Sequence, residues 1–368
     1  MPKQTTDVSG GSYGIVYTSA GQAWTIAKGV TVSGTSGAVL SEFPDSTLIN
    51  RGTASSEGYG LYLAPGGTGD VDIVNGGAGV IDAYRAILIL DMDGALSLFN
   101  KGLVEGSEYA VSISGSFSAD IRNEGVVRAD LAAINFQALG SSDGISFKNA
   151  GKIVGGTYAI EVATLAYGTA KIVNTENGII KGGDAAIAVA ERLVVKSDGL
   201  IGGRIVSGGY NDKVINKNKV KGDVWLGGGS DLFVNKGKAK AGMIDPGPGL
   251  DIVVLGFRSD KLLFDSALDA TSNNCTVRKF SSGEDRLFLD EDIFTALTAD
   301  PLLASEFRKG TTAEDADDHI IYDKKSGALY YDPDGAGGQA QVRFASFQKG
   351  TVVKATDFTV GEYTIISA

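Results

Sequence analysis

Asparagine followed two residues later by glycine recurs at a nearly fixed interval: Asn50-Arg51-Gly52, Asn75-Gly76-Gly77, Asn100-Lys101-Gly102, Asn123-Glu124-Gly125 and Asn149-Ala150-Gly151. Lys28-Gly29 makes a first copy. Asn174 to Gly178 carries two extra residues, Ser197-Asp198-Gly199 is degenerate, and Asn216-Lys217-Asn218 and Asn235-Lys236-Gly237 close the series. Counting Asn218 in the glycine position, that position advances by 23, 25, 25, 23, 26, 27 and 21 residues, then by 19 and 19. Two residues before each Asn position stands an apolar residue: Leu48, Ile73, Leu98, Ile121, Phe147, Ile172, Val195, Val214 and Phe233. A third column pairs a small residue with an aliphatic one at Ala38-Val39, Gly60-Leu61, Ala86-Ile87, Ala110-Val111, Ala133-Ile134, Ala159-Ile160 and Ala186-Ile187. Three columns sharing one period define a repeat protein.

The segments between columns alternate and are rich in β-branched residues, as in Asp70-Val71-Asp72-Ile73-Val74, so they read as short strands. One unit cannot bury its apolar side alone, whereas stacked units give each strand a parallel partner at about 4.8 Å. The expected fold is therefore all-β: a right-handed parallel β-helix of about ten coils of 19–27 residues, roughly 45–50 Å long. Asn and Gly suit its turns because both tolerate the left-handed region, and equivalent Asn side chains can form an amide ladder. The expected division is an N-terminal segment or cap at 1–21, the β-helix at 22–257, and a small α+β or β-rich domain at 258–368. In that last domain Asp292 to Phe307 reads as a helix interrupted by Pro301. The three-column organisation resembles autotransporter-type and haemagglutinin-like passengers, which specifies the fold far better than the function.

Charge and composition exclude several classes. The net charge of −11 disfavours nucleic acid, whose phosphates would be repelled. One histidine, His319, and one cysteine, Cys275, cannot assemble a zinc site or an internal disulfide. The first thirteen residues contain no apolar run, so no cleaved export signal is expected, and no stretch is long and apolar enough for a membrane helix.

In the shorter coils a Gly-rich acidic turn appears at Gly208 to Asp212, Gly227 to Asp231 and Gly247 to Asp251. It is similar to the Gly-Gly-x-Gly-x-Asp element of repeats-in-toxin proteins. That resemblance implies Ca²⁺ held by Asp212, Asp231 and Asp251, although the spacing is 19–20 residues and not nine. The other reading is that Gly and Asp serve the turn backbone alone. Near the C-terminus, Phe307-Arg308-Lys309-Gly310, Ala316 to Tyr322, Gly327-Ala328-Leu329-Tyr330-Tyr331-Asp332 and Asp357-Phe358 resemble type I-secreted, haemolysin-type calcium-binding proteins. The resemblance implies one-step export through type I machinery from a Gram-negative bacterium, with Asp332 and Asp334 as further Ca²⁺ ligands. Asp332-Pro333-Asp334-Gly335 also reads as a plain hairpin turn.

No catalytic constellation emerges. Asp91, Asp93, Asp120, Arg122 and Arg128 are the residues a polysaccharide lyase or hydrolase on this fold would draw on, yet they form no recurring triad. Tyr13, Tyr17, Tyr59 and Tyr62 are candidates for a sugar platform or a cover over the core. The expected function is a secreted, non-enzymatic structural or adhesive protein of the bacterial surface or biofilm matrix. Its expected partners are copies of itself, joined end to end with Ca²⁺, and surface polysaccharide. The alternatives are a polysaccharide-active enzyme and a non-polymerising glycan-binding adhesin.

Overall fold

The structure is a computed structural model that describes residues 1–138, 144–164, 168–297 and 300–363. It is an all-β parallel β-helix of about twelve turns. The chain divides into two compact units, Met1–Ile205 and Val206–Ala368.

In the first unit the pairings are parallel, and their registers follow the columns of the sequence. Leu48, Ile73, Leu98, Ile121, Phe147, Ile172 and Val195 are paired one to the next. So are Val39, Leu61, Ile87, Val111, Ile134, Ile160 and Ile187. All of these side chains are buried. Each contributes about 1.5–3 kcal/mol on leaving water, so two continuous apolar rows dominate the stability of the stack. The segment Met1 to Gly21 forms a first turn: Lys3–Gln4 pairs with Ala23–Ile26, and Tyr13–Val16 with Gly37–Ser41.

The Asn column is a buried amide ladder. Asn50 Nδ2 donates to Asn75 Oδ1 (2.9 Å), and the relay continues through Asn100, Asn123, Asn149 and Asn174 at 2.8–2.9 Å per step. It ends on Ser197 Oγ at 3.2 Å. The recurring glycine has a different reason from the one expected. Gly52, Gly102, Gly125 and Gly151 do not have positive φ. A Cβ on Gly102, Gly125 or Gly151 would instead lie 2.0–2.1 Å from a carbonyl oxygen of the previous coil. Close approach between coils, not left-handed backbone, demands Gly there. The Asn residues likewise sit in strands, where the ladder fixes them.

The second unit stacks by the same rule. Val214, Phe233, Val253, Val277 and Phe347 are paired in succession and buried. This parallel stacking runs past Phe257, where the sequence motif stops: Lys261–Phe264 pairs with Arg286–Asp290, which pairs with Phe358–Gly361. The motif stops because the ladder changes chemistry. Asn216 donates to Asn235 (2.8 Å), and Asn235 to the carboxylate of Asp260 (2.7 Å). Ile320–Asp323, Ala328–Tyr331 and Val342–Phe347 then form an antiparallel meander. The helix expected over Asp292 to Phe307 is absent among the described residues, whose one helical element is a short 3₁₀ turn at Ala355–Asp357. Asp290 closes one turn, its side chain accepting Asp292 N–H and its carbonyl Ile293 and Phe294 N–H, and Pro301 has no N–H to continue a helix. Phe294, Leu297 and Leu302 are buried from irregular backbone.

Candidate functional site

The acidic turns of the second unit bring Asp212, Asp231 and Asp251 into one buried stack, each 1–2% exposed. Asp231 Oδ1 accepts the backbone N–H of Asp212 (2.6 Å), and Asp251 Oδ1 accepts that of Asp231 (2.8 Å). The Oδ2 atoms of Asp231 and Asp251 are buried without a hydrogen-bond partner. Burial pushes the Asp231 carboxyl up to about 8, against the pull of its bond from Asp212 N–H, and pushes Asp251 up to about 7. Asp245, buried beside Asp265, is raised to about 7. Ca²⁺ takes six to eight oxygens at about 2.3–2.6 Å. Among the described residues no three His, Cys, Asp or Glu side chains converge to hold a metal ion. Asp231 and Asp251 each commit Oδ1 to the coil before and keep Oδ2 without a hydrogen bond, so their side-chain oxygens alone do not complete a Ca²⁺ shell.

Asp332 and Asp334 flank the end of Ala328–Tyr331. Asp334 accepts the N–H of Gly338 (2.8 Å) and Gln339 (3.1 Å), and those bonds, the Gln339 bond first, hold its carboxyl below the usual range. Asp332 is buried, its Oδ1 lacks a partner, and burial raises its carboxyl. The geometry is that of an Asp-closed loop. His319 is tied into the same corner, with Nδ1 2.8 Å from Asp332 O.

The residues an enzyme would draw on are dispersed or engaged. Arg122 donates to Asp120 (2.8 Å) and Arg128 to Glu105 (2.7 Å). Asp91 and Asp93 are exposed, Asp91 with a φ of 50°. The structure does place Asp120 in a groove of about 600 Å³ with Asp70, Asp72, Ser97, Ser146 and Lys171. Asp72, Ser97, Asp120, Ser146 and Lys171 occupy successive rungs of one column. Asp72 and Asp120 are two rungs apart, about 9.6 Å of stacking, at the wide limit for an inverting carboxylate pair. Arg122 holds one of these two carboxylates, and Ser97 occupies the rung between them.

Of the tyrosine candidates, Tyr17 is buried, and its O–H donates to Thr47 O (2.6 Å), so it belongs to the core. Tyr13 and Tyr59 share a half-buried column that the sequence reading only partly anticipated. Tyr13, Gly37, Tyr59, Arg85, Tyr109, Ala132, Tyr158 and Ala185 are in register, rung by rung. Tyrosine occupies every second rung. A Cβ on Gly37 would lie 2.5 Å from Tyr13 Cε1, so the Tyr13 ring leans over the empty position of the next coil. Tyr62 packs on Tyr59 with ring centroids 5.1 Å apart. Arg85 sits 5.6 Å from the Tyr109 ring centroid and 5.9 Å from that of Tyr84, and its guanidinium is ion-paired with Glu108. Beside the row, Asn135 donates to Glu161. The signal for the missed residues is the position before the small-aliphatic pair, in Tyr13-Gly14-Ile15, Tyr59-Gly60-Leu61, Tyr109-Ala110-Val111 and Tyr158-Ala159-Ile160.

Compared with family models, with characterised proteins and with solved structures, the chain has no significant match. Among the described residues no helix is long and apolar enough to cross a membrane.

Proposed function

We propose that this chain is a non-catalytic, secreted adhesive or structural protein that holds polysaccharide against the side of its β-helix. The observation that carries the reading is the tyrosine row of the first unit. Tyrosine presents an apolar face and a polar tip, which suits a pyranose ring with its C–H face and rim of hydroxyls. Parallel stacking sets such rings at a fixed spacing on a surface already rigid before a ligand arrives, which lowers the ordering cost of binding. The arginines engaged by Asp120 and Glu105 favour binding over bond cleavage.

The test is binding of the full chain to a panel of insoluble and immobilised polysaccharides, beside a Tyr59→Ala/Tyr109→Ala double variant whose melting temperature is checked in parallel. Binding that the double variant loses while staying folded is the expected result. Equal binding by the two proteins, or release of new sugar ends during incubation, would remove the basis for the reading. Light scattering on the same preparations reads self-association.

A further inference from the structure

The row has a period of two, and that period bears on which glycan it takes. This inference rests on the glycan-binding reading above. Rungs lie about 4.8 Å apart, so Tyr13, Tyr59, Tyr109 and Tyr158 recur about every 9.6 Å and cover roughly 29 Å. One sugar advances an extended β-1,4-linked chain by nearly one rung. Successive sugars in such a chain are turned over, so every second sugar presents the same face on the same side. Tyrosines on alternate rungs, with Gly37, Ala132 and Ala185 at three of the rungs between, match that alternation.

Charge narrows the class further. A groove of about 730 Å³ is lined by Ser33, Ser55, Ser56, Glu57, Asp82 and Tyr84 among others, and none of its lining residues is basic. Arg85, on a rung of the row itself, is paired with Glu108, and Arg128, in a neighbouring column, with Glu105. Glu57 and Asp82 add negative charge to the groove, and Arg128 attracts Asp82 as well as Glu105. In that groove a uronate or sulfated polymer would meet two carboxylates and no basic side chain, whereas serine hydroxyls donate to and accept from neutral hydroxyls and the carboxylates accept from them.

We infer that the tyrosine row binds an uncharged, extended β-1,4-linked polysaccharide, with alternate sugars stacked on Tyr13, Tyr59, Tyr109 and Tyr158. Arg85 acts as a positioning residue that braces the Tyr109 ring.

Calorimetric titration of the full chain with neutral β-1,4-linked oligosaccharides of increasing length, and with uronic-acid oligomers of the same lengths, tests this. Affinity is expected to rise in steps of two sugars, and uronate oligomers to bind about ten-fold more weakly or worse. Tyr109→Ala should lower affinity about five- to ten-fold, and Tyr109→Phe should stay close to the parent. Gly37→Ala pushes the Tyr13 ring aside and should act like Tyr13→Ala on binding. Uronates binding as tightly as neutral chains, or affinity rising evenly with each sugar, would overturn the inference and leave the parent reading intact. No binding by any glycan, with the protein folded, would end both.

Discussion

Replacing Asn100 by Ala tests whether the amide ladder carries stability or only accompanies it. Asn100 is fully buried. Its Nδ2 donates to Asn123 Oδ1 (2.8 Å), Val126 O (3.1 Å) and Gly102 O (3.2 Å). Its Oδ1 accepts from Asn75 Nδ2 (2.8 Å) and Gly102 N–H (3.1 Å). Alanine removes all five bonds at once. Asn75 Nδ2 keeps Gly79 O and Leu103 O as acceptors, so it is not stranded. The Gly102 N–H loses this partner in a closely packed turn. Each buried group left unsatisfied costs about 1–3 kcal/mol, and water entering the gap recovers part of it, so a net loss of about 3–5 kcal/mol is expected. Asn100→Asp should be worse at pH 8, because a buried carboxylate faces Asn123 Oδ1 with no proton to share, and should recover as the pH falls and the acid can donate. The assay is urea unfolding of the full chain followed by Trp24 fluorescence in a Trp225→Phe background, since Trp24 lies in the first unit and Trp225 in the second. Asn50→Ala is the internal comparison, because Asn50 receives no amide from the coil before it, where Ile26 holds the equivalent place. A loss below about 1 kcal/mol for Asn100→Ala, or one no larger than for Asn50→Ala, would refute the reasoning.

Two further outcomes concern the second unit. Asp231, Asp251, Asp245 and Asp285 are raised from 3.8 to about 8, 7, 7 and 6, mainly by burial. A raised acid keeps its proton when folded but releases it when unfolded, so its contribution is complete below about pH 4 and is lost as the pH climbs through the folded values. Trp225 fluorescence in a Trp24→Phe background should therefore report a urea midpoint that falls between pH 4 and 8. A flat or rising midpoint over that window would contradict the buried, protonated stack. Millimolar Ca²⁺ at pH 7 should move the melting temperature by no more than about 2 °C, since a cation bound only to the folded state adds stability in proportion to the logarithm of its concentration over Kd. A rise of ten degrees or so would mean that the turns complete a Ca²⁺ shell with oxygens beyond those two carboxylates.

The solenoid was legible because its physics is periodic. Leu48, Ile73 and Leu98 had to share a face if each unit was to bury its apolar side, and the registers place them so. The amide ladder followed from the same column of Asn. Glycine was assigned correctly in place but for the wrong cause, since neither a close carbonyl nor a positive φ leaves its own mark in a single sequence. The continuation past Phe257 was hidden because Asp260 takes the place of Asn and the coils there lose the Asn-x-Gly signal while keeping the apolar row through Val277 and Phe347. The tyrosine row was half visible. Tyr13 and Tyr59 stood out, but the alternation appears only when coils of 22–27 residues are aligned, and the register shift between Ala83 and Arg85 blurs it. The 19–20-residue spacing of the acidic turns made the stacking of Asp212, Asp231 and Asp251 legible, but not which backbone N–H each carboxylate accepts.

The two ladders differ in one respect that explains where each is used. A primary amide both donates and accepts, so an Asn column satisfies itself from coil to coil and can run as long as the coils remain in register, as it does from Asn50 to Asn174. A carboxylate only accepts while ionised, so an Asp column propagates only if the backbone supplies a donor at every step. Asp260 marks the change: it receives Asn235 Nδ2 on one oxygen and Gly256 N–H on the other, each at 2.7 Å, and passes no side-chain proton on. From there the donors are main-chain N–H groups, Asp260 and Ser281 to Asp285, then Gly283 and Lys354 to Asp357. An amide column has no titratable group, whereas a carboxylate column ties its stability to proton activity. The amide ladder of the first unit is thereby indifferent to pH, and the buried carboxylates of the second make its stability fall as the pH rises.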